Sequence, residues 1–124
     1  MKVLVCGSRK WLDQKPIEAV LKRFPPGTVL IHGDCAGADR IAADVGRRLG
    51  FVVRGYPAEA DGRTWPSAGP LRNQVMLDRE HIEGDYFDLA LIFHKDPNLG
   101  KGSRDMHGRI KNAVPVIPYE VHRK

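Results

Sequence analysis

The feature that most constrains this chain is a regular alternation between two kinds of apolar segment. Residues 3–6, 28–32, 51–54, 88–93 and 114–118 are short, rich in branched side chains and bounded by glycine, proline or polar residues. Such runs read as buried strands of a parallel sheet. The segments between them carry helical spacing instead. Ile17, Val20, Leu21 and Phe24 stand at i, i+3, i+4 and i+7, with Asp13 placed to cap the helix and Pro16 tolerated in its first turn. Ile41, Ala42, Val45 and Leu49 repeat the spacing, and Gly50 supplies a stop. Met106, Ile110 and Ala113 mark a further helix, with Ser103 as its expected N-cap. Residues 71–80 show only a partial apolar face in Leu71, Val75 and Met76, with Pro70 suited to a first turn.

The order β-α-β-α-β-α-β-α-β predicts one α/β domain over residues 1–124, of the Rossmann-like class. It is expected to hold a largely parallel five-stranded sheet with helices on both faces and right-handed crossovers. The long polar connection 56–69, carrying Pro57 and Pro66, is of a length that is often functional in compact domains. Residues 84–86 read as a turn before the fourth strand. Hydrophobic content of 42% and charged content of 28% exclude a disordered chain. Cys6 and Cys35 make neither a disulfide framework nor a metal knuckle, so a reduced, cytoplasmic setting is expected. No run approaches the roughly 18 apolar residues of a membrane span. The chain enters its first strand at once, so no signal peptide is expected.

In an open parallel sheet, ligands bind beyond the carboxyl ends of the strands, where the strand order reverses. Three segments that follow strands are rich in glycine, serine and arginine. They are Gly7-Ser8-Arg9-Lys10-Trp11, the stretch from Gly33 through Asp34, Ala36 and Gly37 to Asp39, and the stretch from His94 to Asp105 that contains Gly100, Gly102 and Ser103. Glycine lets backbone approach a phosphate, and helix N-termini present N–H groups to it. Ser8 and Ser103 add hydroxyls, and Arg9, Lys101 or Arg104 add charge-assisted donors. The net charge of +5 favours an anionic partner. Neither the G-x-G-x-x-G fingerprint nor a Walker A loop is present, which disfavours hydride transfer and phosphate-loop NTPase chemistry.

Four blocks in order carry a resemblance. They are Val5-Cys6-Gly7-Ser8-Arg9, His32-Gly33-Asp34-Cys35-Ala36-Gly37-Ala38-Asp39-Arg40, Ala68-Gly69-Pro70-Leu71-Arg72-Asn73-Gln74-Val75-Met76, and Gly100-Lys101-Gly102-Ser103-Arg104-Asp105-Met106. Together they resemble the YspA/YpsA-related branch of the SLOG superfamily, many of whose members come from bacteria and their phages. The resemblance implies a Rossmann-like fold that binds nucleotides or their derivatives. Two superfamily relatives bracket the function. The LOG phosphoribohydrolases carry an Arg-Lys pair and a P-G-G-x-G-T-x-x-E loop. Arg72 falls where their arginine would, but Asn73 replaces the lysine and Met106 stands at the glutamate position, with Asp105 one residue earlier. The Rossmann-like domain of DprA has a similar Gly-Ser-Arg turn and binds single-stranded DNA.

Three functions follow. The first is a nucleotide or nucleotide-derivative binder, acting as a sensor or sequestering module, with Arg72 and Asn73 closing the site. The second is a phosphoribohydrolase-like enzyme cleaving the N-glycosidic bond of a nucleoside monophosphate, with Arg72 and Asp105 as its catalytic candidates. The third is a single-stranded nucleic-acid binder, for which Trp11, Tyr56 and Trp65 are the stacking aromatics. Single residues have two readings. Asp34 and Asp39 suit a ribose or ring amine, and Asp39 equally suits capping its own helix. Trp11 suits base stacking or cover of the first helix. Cys35 is read as lining its turn. The five histidines lack metal-ligand spacing, and only His94 is kept as a polar contact. No cofactor, metal or membrane partner is expected. A homo-oligomer is, because superfamily relatives often assemble.

Overall fold

The computed structural model describes residues 1–56, 68–82, 87–94, 101–113 and 116–123, with backbone alone for 68–72, 81–82 and 101–105. Among the described residues, five strands and four helices alternate. They are β1 (Lys2–Gly7), α1 (Gln14–Leu21), β2 (Val29–His32), α2 (Ala38–Arg48), β3 (Val52–Gly55), α3 (Ala68–Ile82), β4 (Leu89–Phe93), α4 (Lys101–Lys111) and β5 (Tyr119–His122). All strand pairs are parallel, and the sheet order is β3-β2-β1-β4-β5. The α/β class and the five-stranded sheet read from the sequence are therefore present. The sheet is wholly parallel where the sequence reading was of a largely parallel one.

The side-chain period of two divides β1 between two cores. Val3 and Val5 pack with Leu30, Leu91, Phe93 and residues of α1 and α2. Leu4 and Cys6 pack on the opposite face with Ile31, Ala90, Ile92 and residues of α3 and α4. Helices thus cover both faces, α1 and α2 on one and α3 and α4 on the other. The central strands are buried on both sides, while β3 and β5 form the more exposed edges.

The local signals explain most boundaries. The Asp13 carboxylate accepts from the Lys15 N–H at 3.2 Å and caps α1. Gly50 takes φ 83° just beyond α2, as a helix stop requires. Helix α3 runs Ala68–Ile82, beyond the 71–80 read from the sequence, and two further boundaries differ. The last strand lies at Tyr119–His122, not at 114–118. Pro115 and Pro118 bring no N–H to a ladder, whereas Tyr119, Glu120, Val121 and His122 pair residue for residue with Ala90 to Phe93. Helix α4 begins at Lys101, so Ser103 lies inside its first turn and is not its N-cap. The helix overruns its apolar stripe by one turn toward the carboxyl edge of the sheet. The turn at 84–86 and most of the 56–69 connection lie outside the described residues.

Candidate functional site

The strand order reverses between β1 and β4, because the chain leaves β1 toward β2 and leaves β4 toward β5. That reversal sets a crevice at the carboxyl edge of the sheet. The first turn, Ser8 to Lys10, stands over it. The Ser8 N–H donates to the Phe93 carbonyl at 2.9 Å, extending the β1–β4 ladder by one residue. The Ser8 hydroxyl accepts from the Lys10 N–H at 3.1 Å, which fixes the turn and leaves Arg9 and Lys10 exposed.

The second turn packs directly onto the first. The Ala38 N–H donates to the Ser8 carbonyl at 3.1 Å. Gly37, at φ 78°, has no room for a side chain: a Cβ there would collide with the Ser8 carbonyl and lie 2.6 Å from the Arg9 carbonyl carbon. Gly7 is equally closed, since a Cβ would meet the Phe93 carbonyl and sit 2.7 Å from Ala38 Cβ. These two glycines serve the close approach of two turns and a strand end. Sequence reasoning assigned that same closeness to a phosphate.

Within the second turn the N–H groups converge on the protein's own acceptors. Asp39, 4% exposed, accepts from the Gly33 N–H at 2.9 Å and the Cys35 N–H at 3.4 Å. The Asp34 N–H donates to His32 Nδ1 at 2.9 Å. A carboxylate therefore already occupies the place where turn N–H groups gather, and Asp39 stabilises the turn from within. The Cys35 thiol lies 3.7 Å from the Gly33 carbonyl.

Trp11 is a core residue. It is 1% exposed, donates its indole N–H to the Asp13 carbonyl at 2.6 Å and meets the Phe93 ring edge-on at 5.7 Å. Of its two sequence readings, the structure supplies the packing one. Asn73 is buried at 3% on the inner face of α3, and His94 is buried at the end of β4. Ala36 is exposed in the second turn. Arg72 lies in the first turns of α3, and Gly102, Ser103 and Asp105 lie in the first turns of α4. Gly100 and Trp65 lie outside the described residues. The N-terminal ends of all four helices face the carboxyl edge, so the segments named from sequence do meet at one side of the sheet.

Sequence reasoning missed one polar cluster. Glu80 of α3 is fully buried, with Lys2 Nζ at 2.9 Å, the Arg54 guanidinium at 3.0 Å and the Tyr56 hydroxyl donating at 2.5 Å. Burial alone would raise the Glu80 carboxyl, but Tyr56, Lys2 and Arg54 together hold it below the ordinary value. The Lys2 ammonium also donates to the Glu80 carbonyl at 3.1 Å. The signal was present: Asn73, Met76, Leu77 and Glu80 stand at i, i+3, i+4 and i+7, an inner helix face with a polar residue at each end.

The family model for the YspA, cpYpsA-related SLOG family matches residues 1–61, which hold both packed turns. The Gene 61 protein of Mycobacterium phage D29 is 34% identical over 127 aligned residues, covering 95% of each chain. The chain belongs to the YspA, cpYpsA-related SLOG family. This membership covers the first two of the four blocks directly, and the phage relative spans the other two. Among the described residues of this family member, no helix is long and apolar enough to cross a membrane.

Proposed function

We propose that this protein binds a nucleotide or nucleotide-derived ligand at the carboxyl edge of its sheet, as a sensor or sequestering module. The observation that carries this reading is the strand-order reversal between β1 and β4, with the exposed Arg9 and Lys10 of the first turn above it. Family membership supports the same ligand class. In this reading the first turn contacts phosphate, with Arg9 supplying a charge-assisted bond. The second turn acts as a platform held rigid by Asp39. The first turns of α3 and α4, with Arg72, Gly102, Ser103 and Asp105, close the site from the opposite face.

The test is a thermal-shift and calorimetric screen with ribonucleoside monophosphates. Bound ligand raises the melting point by mass action. An Arg9→Ala variant is expected to bind about tenfold more weakly, as loss of one charge-assisted contact implies. A screen in which no nucleotide raises the melting point, or an Arg9→Ala protein that binds as tightly as the parent, overturns the reading. Chromatography of the same mixtures reports any released base, which marks hydrolysis rather than binding alone.

A further inference from the structure

Among the described residues, Asp34 is the one non-glycine residue with a left-handed backbone, at φ 53°. Aspartate tolerates this region better than most residues, yet glycine would occupy it without a steric cost. The left-handed turn admits aspartate, asparagine or glycine, so the backbone alone does not require a carboxylate at this position. Strain of this kind points from an observed outlier to a function.

The conformation is held from several sides. The Asp34 N–H is fixed on His32 Nδ1 at 2.9 Å. The His32 ring, 3% exposed, fits because Gly55 beside it has no side chain: a Cβ there would lie 2.9 Å from His32 Cε1. The neighbouring N–H groups of Gly33 and Cys35 are fixed on Asp39. Out of this rigid frame stands the Asp34 carboxylate, 44% exposed, with the Arg40 guanidinium at a long 3.8 Å. Such an exposed and distant ion pair contributes little.

Strand β2 lies beside β1 on the side away from β4. A ligand with phosphate over the Ser8–Lys10 turn that extends away from β4 next meets the end of β2, where Asp34 stands. An ionised carboxylate accepts hydrogen bonds only, through two oxygens. It repels phosphate and suits a pair of neighbouring hydroxyls. Resting on the nucleotide reading above, we propose that Asp34 is a specificity-determining residue. It accepts hydrogen bonds from ribose hydroxyls and selects ribonucleotides over 2′-deoxyribonucleotides.

The test is calorimetric titration of the whole protein with the four ribonucleoside 5′-monophosphates and their 2′-deoxy counterparts. The parent is expected to prefer the ribo form of its best-bound base by about tenfold or more, the range of one charge-assisted bond. Asp34→Ala should bring that ratio close to one, with the ribo form losing more affinity than the 2′-deoxy form, which reaches the carboxylate through its 3′-hydroxyl alone. Asp34→Gly relieves the backbone and keeps the fold, so it must lose the preference as well. Equal affinity of the parent for both sugars, or an Asp34→Gly protein that keeps the ratio, overturns this assignment and leaves nucleotide binding standing. Failure of all eight nucleotides to bind overturns both.

Discussion

Single residues in this protein are constrained more by other parts of the chain than their sequence context shows. Gly7 and Gly37 read naturally as phosphate-loop glycines, and glycine after a strand fits that use. The structure gives both a stricter reason, since each faces a backbone carbonyl at a distance no Cβ allows. Gly7→Ala should destabilise the protein by about 2–3 kcal/mol, the cost of forcing atoms into a packed site, read as a lower urea midpoint at unchanged m-value. Glu80 carries a larger penalty. Glu80→Ala leaves the Lys2 ammonium, with only 10% of its side chain exposed, without its carboxylate. A loss of about 3 kcal/mol is expected, at the lower end for a broken buried pair because Arg54 is partly exposed and rehydrates. Trp11 was legible equally as a base-stacking aromatic and as cover for the first helix, and the structure shows it buried in the core. Its burial depends on Phe93, more than eighty residues later, which no local pattern reports.

At the scale of elements, apolar periodicity located β1, β2, β3, β4, α1 and α2 to within a residue or two. It was weak where an element buries polar groups. Helix α3 turns Asn73 and Glu80 inward and leaves Val75 40% exposed, so its apolar moment is small although its inner face is well defined. The last strand was misplaced because an edge strand need not be apolar: Tyr119–His122 alternates polar and apolar residues and is held partly by charge. Arg23, just beyond α1, makes two 2.8 Å contacts with the Glu120 carboxylate, and His122 adds a third at 2.9 Å. The Arg23 contact, with His122 assisting, pushes the Glu120 carboxyl down to about 2 from an ordinary 4.5. Both partners of the Arg23 pair are partly exposed, so its worth is small. Arg23→Ala should cost about 1 kcal/mol or less. It should also return the Glu120 titration, followed by carboxyl NMR, toward its ordinary value. His122 belongs to this strand, where its ring stacks on Phe93 at 5.3 Å.

At the scale of the whole molecule, the shifted acidic groups among the described residues and His107 act in one direction. Glu18, Glu80 and Glu120 are all lowered, Glu18 chiefly by its hydrogen bond from Gln14 and Glu80 by Tyr56, Lys2 and Arg54 against burial. His107 is also lowered from 6.5, by burial first and then by Lys111 and Arg123. In every case the unfolded chain binds protons more readily than the folded one, so stability rises with pH. The histidine contribution is present above about pH 6.5 and is lost below it. The carboxylate contributions are present above about pH 4.5 and fade as the pH falls below it, that of Glu120 toward about pH 2. Urea midpoints measured at about pH 7.5, 5.5 and 3.5 should therefore fall in that order. A midpoint that rises on acidification would contradict the assigned environments.

The contact between the first two turns bears on how the binding edge can be altered. The Ser8 carbonyl receives the Ala38 N–H, while Gly37 and Gly7 admit no side chain between the turns. Neither loop can be exchanged without the other. A graft that brings in only the 7–11 segment of a relative inherits a mismatched seat and should express poorly. A graft of 7–11 together with 33–39 keeps the interlock intact. Diversification of this protein's ligand range is thus restricted to paired loop exchange, or to outward-pointing positions such as Arg9, Asp34 and Ala36 that leave the seat untouched.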